Sequence, residues 1–434
     1  MRLLQIDQGL ARNSYYAATT PRTLSFAPLD GDVRCDVAIV GGGLAGLSAA
    51  IDLARRGRQV RLLEACEIGS GASGRNGGQA IHGLACDQDV IEAQLGLDDA
   101  RRVWKLSIEA LDLLQQRQAE HGIDCEWHAG YLGLASSARK AARLQAWADR
   151  IEQVYAYPLQ RLHSVDMPRW IASQRYHGGI HDPRSGHLNP LKYTLGLARA
   201  AAAAGVAVHE HSPVRRLRPG APAVLETARG NVSADQVLLA GNVHLGAVAP
   251  ELATRIMPVG TFIGCTEVLD AALADSLIPS RAAVCDSNFV LDYFRTTNDD
   301  RLLYGGRVSY SLAAPADLAA SMGRRMRATF PQLRDVKVEY GWGGFVDITM
   351  NRAPDFGRLA GGAGNIYHLQ GFSGHGLALT GLAGRLVADA LCGDASRFDV
   401  FTRLRHRPFP GGPWLRTPSL VLAMAWYRLR DMLS

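Results

Sequence analysis

Three glycines near the start of the chain have the spacing that holds a phosphate group against the end of a helix. Gly41, Gly43 and Gly46 follow the pattern G-x-G-x-x-G. The first position permits a tight turn, the second lets a pyrophosphate approach the backbone, and the third lets a helix pack closely. The free N–H groups and the positive end of the helix dipole would then hold the phosphates. We therefore predict a dinucleotide site at these glycines.

The residues around these glycines predict the strands and the helix that would position them. Residues 37–40 form a short apolar run that is typical of a buried strand. Apolar residues at helical spacing follow the glycines, and residues 55–57 read Arg-Arg-Gly, which ends a helix. A second strand over residues 60–63 leads to Glu64, which lies 18 residues after Gly46 (64 − 46). An acid at this distance can accept hydrogen bonds from an adenosine ribose, so the combination favours a dinucleotide site over a structural turn.

A glycine-rich loop follows the second strand. Residues 68–79 read Ile-Gly-Ser-Gly-Ala-Ser-Gly-Arg-Asn-Gly-Gly-Gln. Such a loop can lay backbone amides along a planar ring system. A simple NAD-binding domain usually passes from the acid directly into another helix, so this loop indicates a different dinucleotide.

Several short segments carry a resemblance to a known family. The chain resembles the FAD-dependent amine and amino-acid oxidases of the D-amino-acid oxidase superfamily over nearly its whole length. The matching segments are residues 14–16, 71–79, 292–295, 303–307, 342–344, 351–354, 371–376 and 409–412. These segments are specific for the superfamily and less specific for the amine, because related enzymes use one scaffold for different amines.

The resemblance implies an α/β protein with two interleaved domains. One is a Rossmann-type FAD-binding domain, and the other is an α+β substrate domain built on an antiparallel sheet. Residues 182–190 are predicted to be a polar turn, after which strand–helix alternation resumes. The expected segments are an N-terminal arm at 1–31, an FAD-binding domain at 32–86, 183–242 and 340–434, and a substrate domain with connecting helices at 87–182 and 243–339.

The resemblance also implies how FAD is held. Residues 371–376 form a second glycine-rich turn, and the helix that follows would stabilise negative charge at the pyrimidine end of the reduced flavin. Val214 is expected to contact the adenosine end through backbone atoms. Residues 345–349 contain no cysteine, so FAD is expected to be bound without a covalent bond. The expected cofactor-binding residues are Gly41, Gly43, Gly46, Glu64, Ser73, Gly74, Arg75, Asn76, Gly77, Gly78, Gln79, Val214, Gly371, Phe372, Ser373, Gly374, His375 and Gly376.

The chemistry that the resemblance implies is the oxidation of a small amine, such as a γ-glutamylated polyamine. The amine would give a hydride to flavin N5, the imine would hydrolyse, and O2 would reoxidise the flavin with release of hydrogen peroxide. One alternative is an amino-acid or secondary-amine oxidase or dehydrogenase, of the pipecolate, sarcosine or D-amino-acid type, that passes electrons to a quinone. Another is a non-catalytic flavin protein. No lysine lies between Lys192 and Lys337, so the lysine that activates O2 in some relatives is missing.

Three side chains are candidates for catalysis. His375 is expected to hydrogen-bond the flavin or to assist O2 reduction as a cation, and helix capping is its alternative role. His82 lies just past the glycine-rich loop at residues 68–79, which we call the flavin loop, and is a candidate proton acceptor. Trp342 is a candidate wall of the ring cavity, although core packing is the default role of such a residue.

Three further side chains are candidates for substrate binding. Arg307 follows a strand and two glycines, so it could hold a substrate carboxylate through two parallel hydrogen bonds; a surface ion pair is the alternative. Arg352 is a candidate for cofactor or substrate contact, with a structural role as its alternative. Tyr293 is a second candidate wall of the cavity. No metal-ligand spacing and no Ser-His-Asp set are visible.

Composition fits a soluble enzyme and argues against nucleic acid as a partner. The net charge of +6 is spread along the chain without a long basic run. The seven cysteines are scattered without a C-x-x-C motif, which favours reduced thiols in the cytoplasm over a disulfide framework. Residues 414–434 contain a plausible closing helix with apolar and cationic residues. We expect this helix to pack on the body, and contact with a membrane surface is the alternative.

Overall fold

Two β-sheets of different character organise the chain. The computed structural model describes residues 2–288, 291–309, 317–360 and 363–410. Helices cover both sheets within these ranges, in agreement with the predicted α/β class. No helix in the described ranges has the length and hydropathy of a membrane span. The predicted closing helix at 414–434 lies outside the described residues.

The secondary structure alternates strands and helices in the order that follows. The helices are α1 (Arg2–Leu10), α2 (Tyr15–Thr19), α3 (Leu44–Arg55), α4 (Gln88–Leu95), α5 (Leu97–His121), α6 (Ala138–Tyr155), α7 (Met167–Trp170), α8 (Pro190–Ala203), α9 (Pro250–Ala253), α10 (Ala271–Leu277), α11 (Leu318–Thr329), α12 (Gly376–Leu391) and α13 (Phe398–Thr402). The strands are β1 (Val33–Val40), β2 (Val60–Leu63), β3 (Gln79–Ala80), β4 (His128–Leu134), β5 (Gln160–Leu162), β6 (Gly179–His187), β7 (Ala207–His209), β8 (Arg216–Arg218), β9 (Ala223–Glu226), β10 (Asn231–Leu239), β11 (Ile256–Thr266), β12 (Ala283–Asp286), β13 (Tyr293–Thr296), β14 (Leu302–Ser309), β15 (Val338–Thr349), β16 (Asp355–Arg358) and β17 (Ile366–Gln370).

The first sheet has the topology of a dinucleotide fold. Its path is β16-β17-β10-β1-β2-β7, and the five strands from β17 to β7 are parallel. Ala38 and Ile39 of β1 point to opposite faces of the sheet and are both completely buried, because parallel sheets are covered on both faces. The carboxyl ends of β1, β10 and β17 meet at one edge, which is where ligands bind in sheets of this kind. We call this the carboxyl edge.

The second sheet is mostly antiparallel. Its path is β15-β11-β14-β13-β12-β4-β6-β3, with β5 added beside β6, and β12 and β4 form its parallel pair. β11 pairs with β15 along nearly its whole length, from Ile256 opposite Thr349 to Thr266 opposite Val338. The antiparallel sheet predicted for the substrate domain is therefore present, and it is larger than the sequence pattern indicated.

The prediction of a polar turn over residues 182–190 was wrong. Strand β6 continues to His187 and pairs with β4 and β3. The pairing jumps from Asp182 opposite Tyr131 to Gly186 opposite Ala129, so the strand accommodates Pro183 at an irregularity in the ladder. Local composition indicated a turn because this segment contains proline, glycine, serine and asparagine. The strands that pair with it are distant in the sequence, so local composition does not reveal them.

Sheet membership differs from the expected domain segments at three places. Strand β3 (Gln79–Ala80) and residues 183–187 of β6 were expected in the FAD-binding domain, but both belong to the second sheet. Residues 340–349 were expected in the FAD-binding domain, but they belong to β15 of the second sheet. β15 still reaches the first sheet, because the side chain of Asp347 hydrogen-bonds the turn after β17. The domain boundaries otherwise stay a prediction.

The N-terminal arm contains two helices and is tied to the body by buried side chains. Tyr15 donates a hydrogen bond to Asp299 at 2.6 Å, and Tyr16 accepts one from Arg295 at 3.1 Å. Asp7 of α1 forms an ion pair with Arg75 of the glycine-rich loop. The arm is therefore joined to the second sheet and to the glycine-rich loop.

A buried ion pair joins the first helix of the nucleotide fold to the long helix α5. Arg117 donates to Asp52 at 2.8 Å, and both side chains are almost inaccessible to water. Helix α12 packs on the same face of α3, where a Cβ at Gly384 would lie 2.6 Å from the carbonyl oxygen of Ala45. These contacts fix α3 against two other helices.

Replacing Asp52 with alanine is expected to destabilise the protein strongly. The substitution leaves the Arg117 guanidinium buried without its carboxylate partner, and losing one partner of a buried pair costs about 3–5 kcal/mol. Thermal unfolding followed by circular dichroism measures the loss. Asp98→Ala is the matched control, because Asp98 is 93% exposed and lies 3.7 Å from Arg101. Equal unfolding temperatures for Asp52→Ala and Asp98→Ala would contradict this account.

Candidate active site

Two of the three motif glycines are required by the packing of the backbone. Gly41 has φ +111°, and a Cβ there would lie 2.5 Å from the carbonyl oxygen of Ala240. A Cβ at Gly46 would overlap the carbonyl oxygen of Gly41. Any side chain at either position would push α3 away from β1 or β1 away from β10.

The middle glycine is different, because the only close neighbour of an added Cβ is the end of a side chain that can rotate. Gly43 has ordinary backbone angles, and an added Cβ would closely approach only the hydroxyl of Ser73, at 2.7 Å. That hydroxyl accepts a hydrogen bond from the Leu44 N–H at 3.0 Å, at the start of α3. The position is a shallow cradle at the start of α3, where the first N–H groups have no partner within the helix, and this fits a pyrophosphate.

Glu64 is held at the carboxyl edge by backbone amides. One carboxylate oxygen accepts from the Gly42 N–H at 2.7 Å, and the other accepts from the Cys66 N–H at 2.9 Å. The side chain is partly exposed beside the glycine turn. The predicted ribose-binding acid therefore lies directly beside the predicted phosphate turn.

The glycine-rich loop is fixed by side chains that are distant in the sequence. Trp342 of β15 donates from its indole nitrogen to the Arg75 carbonyl at 2.8 Å and is completely buried. Arg295 of β13 donates to the Gly77 carbonyl at 3.0 Å. The Arg75 guanidinium contacts Asp7 and is buried, so its side chain is directed to α1. A contact between Arg75 and the cofactor would therefore use backbone atoms.

The second glycine-rich turn lies at the same edge. Gly371, Ser373 and Gly374 all have positive φ angles, of +76°, +54° and +85°. The turn connects β17 to α12, so α12 begins beside α3. The Asp347 carboxylate accepts a hydrogen bond from the Gly371 N–H at 2.6 Å. Asp347 was missed by sequence reasoning, because a single acid in a strand gives no local signal.

The surroundings of His375 favour its neutral form. Its Nε2 lies 3.2 Å from the Ile81 carbonyl oxygen and 2.9 Å from that of His82, so this nitrogen must carry the hydrogen. Burial lowers the pKa of His375 to about 4, and the charge of Arg352 contributes in the same direction. This environment disfavours the cationic role considered for His375, and that role stays a prediction. The side chain does not cap α12 either, although His375 occupies the N-cap position.

His82 belongs to a buried polar network. Its Nδ1 lies 2.7 Å from a carboxylate oxygen of Asp182, which also accepts hydrogen bonds from Tyr157 and Ser185. Burial opposes ionisation of Asp182, but the hydrogen bond and charge of His82 lower its pKa to about 2. The ring of His82 also packs against Trp104 at 5.8 Å between centroids. The His82 carbonyl contacts His375 of the second glycine-rich turn, and the role of His82 as a proton acceptor stays a prediction.

The remaining candidates occupy different positions. The Tyr293 ring packs on the flavin loop, where a Cβ at Gly77 would lie 2.5 Å from it. Arg352 adopts φ +60° in the turn before β16. Arg307 lies in β14 opposite Phe262 of β11, next to an irregularity in the pairing, and its side chain is outside the described part. Val214 lies beside the core under the first sheet.

Comparison with known proteins agrees with this arrangement. Residues 36–390 match a family model described as FAD dependent oxidoreductase. The chain is 44% identical over 423 residues to a gamma-glutamylputrescine oxidoreductase of Escherichia coli, covering 97% of this chain and 99% of the relative. It is also 38% identical over 424 residues to a probable oxidoreductase of Haemophilus influenzae, covering 96% and 97%. The crystal structure of glycine oxidase from Geobacillus kaustophilus superposes with a TM-score of 0.68 at 23% identity, covering 82% of this chain and 94% of that one.

These matches define the class of protein. The chain is an oxidoreductase that uses FAD. It belongs to the FAD-dependent oxidoreductase family of D-amino-acid oxidase type, as the sequence predicted. The cradle at Gly43 and the amide-lined turns at the carboxyl edge fit this cofactor, whose pyrophosphate needs close approach to the backbone.

Gly43→Val is expected to give folded protein that does not retain FAD. Ser73 can rotate away from the new side chain, whereas a pyrophosphate at the start of α3 cannot, so the substitution acts on the cofactor more than on the fold. The flavin absorbance per mole of purified protein measures retention, and circular dichroism checks the fold. Gly9→Val in the exposed part of α1 is the matched control, because no atom lies within 4 Å of a Cβ there. Stoichiometric FAD in Gly43→Val would refute the assignment of this turn.

Proposed function

We propose that the enzyme oxidises the primary amine of a γ-glutamylated polyamine. The similarity to gamma-glutamylputrescine oxidoreductase carries this proposal, because 44% identity extends over nearly all of both chains. More distant relatives named glycine oxidase and sarcosine oxidase subunit beta are 25% and 26% identical, and they share the general class of amine oxidation. The proposal therefore takes its substrate from the more similar protein.

The side chains at the carboxyl edge support such a reaction. Bound FAD supplies the two-electron acceptor for the C–H bond next to the amine. Tyr293 and Trp342 contact Gly77 and Arg75 of the glycine-rich loop, where they would exclude water and orient the amine. The Nε2–H of His375 is committed to backbone carbonyls, so its Nδ1 keeps a lone pair that can accept a hydrogen bond from a substrate ammonium or a water molecule.

The carboxylate of a γ-glutamyl group needs a cation at a distance from the reacting amine. Arg295 is poorly suited, because its guanidinium is buried and donates to the Gly77 and Leu188 carbonyls. Arg307 is our proposed partner, because it lies in β14 of the second sheet after two glycines. A planar guanidinium binds a carboxylate through two parallel hydrogen bonds, which a lysine cannot do.

The electron acceptor separates this proposal from its alternative. We propose O2 as the acceptor, whereas a dehydrogenase would pass electrons to a quinone. A panel of amines mixed with the enzyme without O2 should bleach the flavin with a γ-glutamylated polyamine most rapidly. Admission of air should then yield about one hydrogen peroxide per amine oxidised, measured with a peroxidase-coupled dye. Bleaching without peroxide would favour the dehydrogenase, and no bleaching by any amine would refute amine oxidation.

Arg307→Ala is expected to raise KM for the glutamylated amine by about tenfold to a hundredfold. Loss of a charge-assisted contact costs roughly 1.5–3 kcal/mol, and about 1.4 kcal/mol corresponds to one factor of ten. Steady-state kinetics with the glutamylated amine and with an uncharged amine measure the effect, which should appear with the first substrate only. Arg334→Ala is the matched control, because Arg334 is 84% exposed and pairs with Asp335 on the surface.

Equal losses on both substrates would mean that Arg307 has a structural role. The carboxylate site would then lie elsewhere, and Arg352 beside His375 would be the next position to test. FAD content should stay unchanged in Arg307→Ala, which separates loss of substrate binding from loss of the cofactor.

A further inference from the structure

A single buried carboxylate joins the second sheet to the second glycine-rich turn. Asp347 lies near the end of β15 and is 4% exposed. Its carboxylate accepts the Gly371 N–H at 2.6 Å, and its backbone carbonyl accepts the Ser373 N–H at 3.2 Å. The next residue but one, Thr349, is joined to the same turn, because its N–H donates to the Ser373 hydroxyl at 3.3 Å. The end of β15 therefore shapes this turn.

The turn cannot take its conformation from local preference alone. Ser373 has φ +54°, which is unfavourable for a residue with a side chain. A Cβ at Gly371 would lie 2.5 Å from Thr349, so the turn also approaches β15 closely. Hydrogen bonds to the Asp347 carboxylate offset this cost, and the position of Gly371–Gly376 at the carboxyl edge depends on them.

We propose that Asp347 positions the cofactor turn and that its charge is felt by the bound flavin. The argument depends on FAD as the cofactor and on the location of the turn beside α3, and it does not depend on which amine is oxidised. The turn follows β17 at the edge where Gly41 follows β1, and His375 within it contacts the loop carbonyls at Ile81 and His82. A negative charge held behind such a turn opposes the addition of electrons to the cofactor.

Asp347 has backbone partners, while the charged groups around it are paired with one another. Burial raises the pKa of Asp347 to about 7, although the amide hydrogen bonds of Gly371 and its neighbours oppose the shift. Two sets of charged or titratable side chains lie beside it, one near Phe345 of β15 and one beneath Gly371. They are Asp7 with Arg75 and His244, and Asp355 with Arg255 and His368. Helix α11 packs on the opposite end of β15, near Gly341.

The protonation of Asp347 is therefore expected to be coupled to reduction. As two electrons from a chemical reductant enter the cofactor, the carboxylate takes one proton from solvent and becomes neutral. This uptake happens only where the group is ionised before reduction, which requires a pH near or above about 7. The midpoint potential of the wild-type flavin should then fall more steeply with pH near neutrality than it does without this acid.

Asp347→Asn tests the proposal through the potential of the flavin. Spectroscopic titration of the holoenzyme with dithionite and reference dyes, from about pH 5.5 to about pH 8.5, gives the potential without any amine. We expect the variant to have a higher potential than the wild type at the alkaline end, and the two proteins to converge at the acid end. Affinity for FAD, measured by reconstitution of apo-protein, should fall by about tenfold, the effect of losing one charge-assisted hydrogen bond.

Asp270→Asn is the matched control. Asp270 also accepts hydrogen bonds from backbone amides, those of Ala272 at 3.0 Å and Leu273 at 3.3 Å, but it does so at the start of α10. This variant should keep the wild-type profile. Parallel profiles for Asp347→Asn and the wild type would overturn the proposal, since a purely structural role changes stability without changing the slope.

A second variant covers the case in which Asp347→Asn does not fold. Asp347→Glu keeps the acid and moves it by one methylene, so the pH at which the wild-type slope changes should shift. The proposal would be overturned if the pH at which the slope changes were the same in Asp347→Glu and in the wild type. It would also be overturned if the midpoint potential of the wild-type flavin did not fall more steeply with pH near neutrality. Because the reductant is dithionite, a wrong substrate assignment would leave both results unaffected.

Discussion

The close contact between helix α3 and strand β1 is the constraint on which the rest of the structure depends. A side chain at Gly46 would overlap the carbonyl oxygen of Gly41, and a side chain at Gly41 would strike the backbone of Ala240. Both glycines are therefore needed before α3 can point its N–H groups at the carboxyl edge. Gly43 is needed for a different reason, because an added Cβ would meet only the Ser73 hydroxyl within the protein and would obstruct a pyrophosphate beside the turn.

A second constraint is that each flexible, glycine-rich segment is held by a side chain from a distant element. The first loop is held through Arg75 by Asp7 of the arm and through its carbonyl by Trp342 of β15. The second turn is held by Asp347, five residues further along the same strand (347 − 342). One strand of the second sheet thus carries anchors for both segments. This arrangement connects the second sheet to both glycine-rich segments at the carboxyl edge of the first sheet.

Ionisable groups near the site are arranged so that few are free charges. The Arg75 guanidinium and the Asp182 carboxylate each have an oppositely charged or hydrogen-bonded partner, while Nε2 of His375 donates to backbone carbonyls. A buried ionisable group without such a partner has a shifted pKa or destabilises the folded protein. Asp347 departs from this pattern, because its carboxylate is hydrogen-bonded by backbone amides and burial raises its pKa to about 7.

The sequence by itself determined the nucleotide fold, because spacing and chemistry at Gly41, Gly43, Gly46 and Glu64 are local properties of consecutive residues. The resemblance added the family and the cofactor. Only the tertiary structure decided that residues 182–187 are a strand, that β15 belongs to the second sheet, and that Arg75 is directed to Asp7. Those facts rest on partners more than fifty residues away in the chain. No local pattern records such a partner, since its identity depends on how the sheets come together.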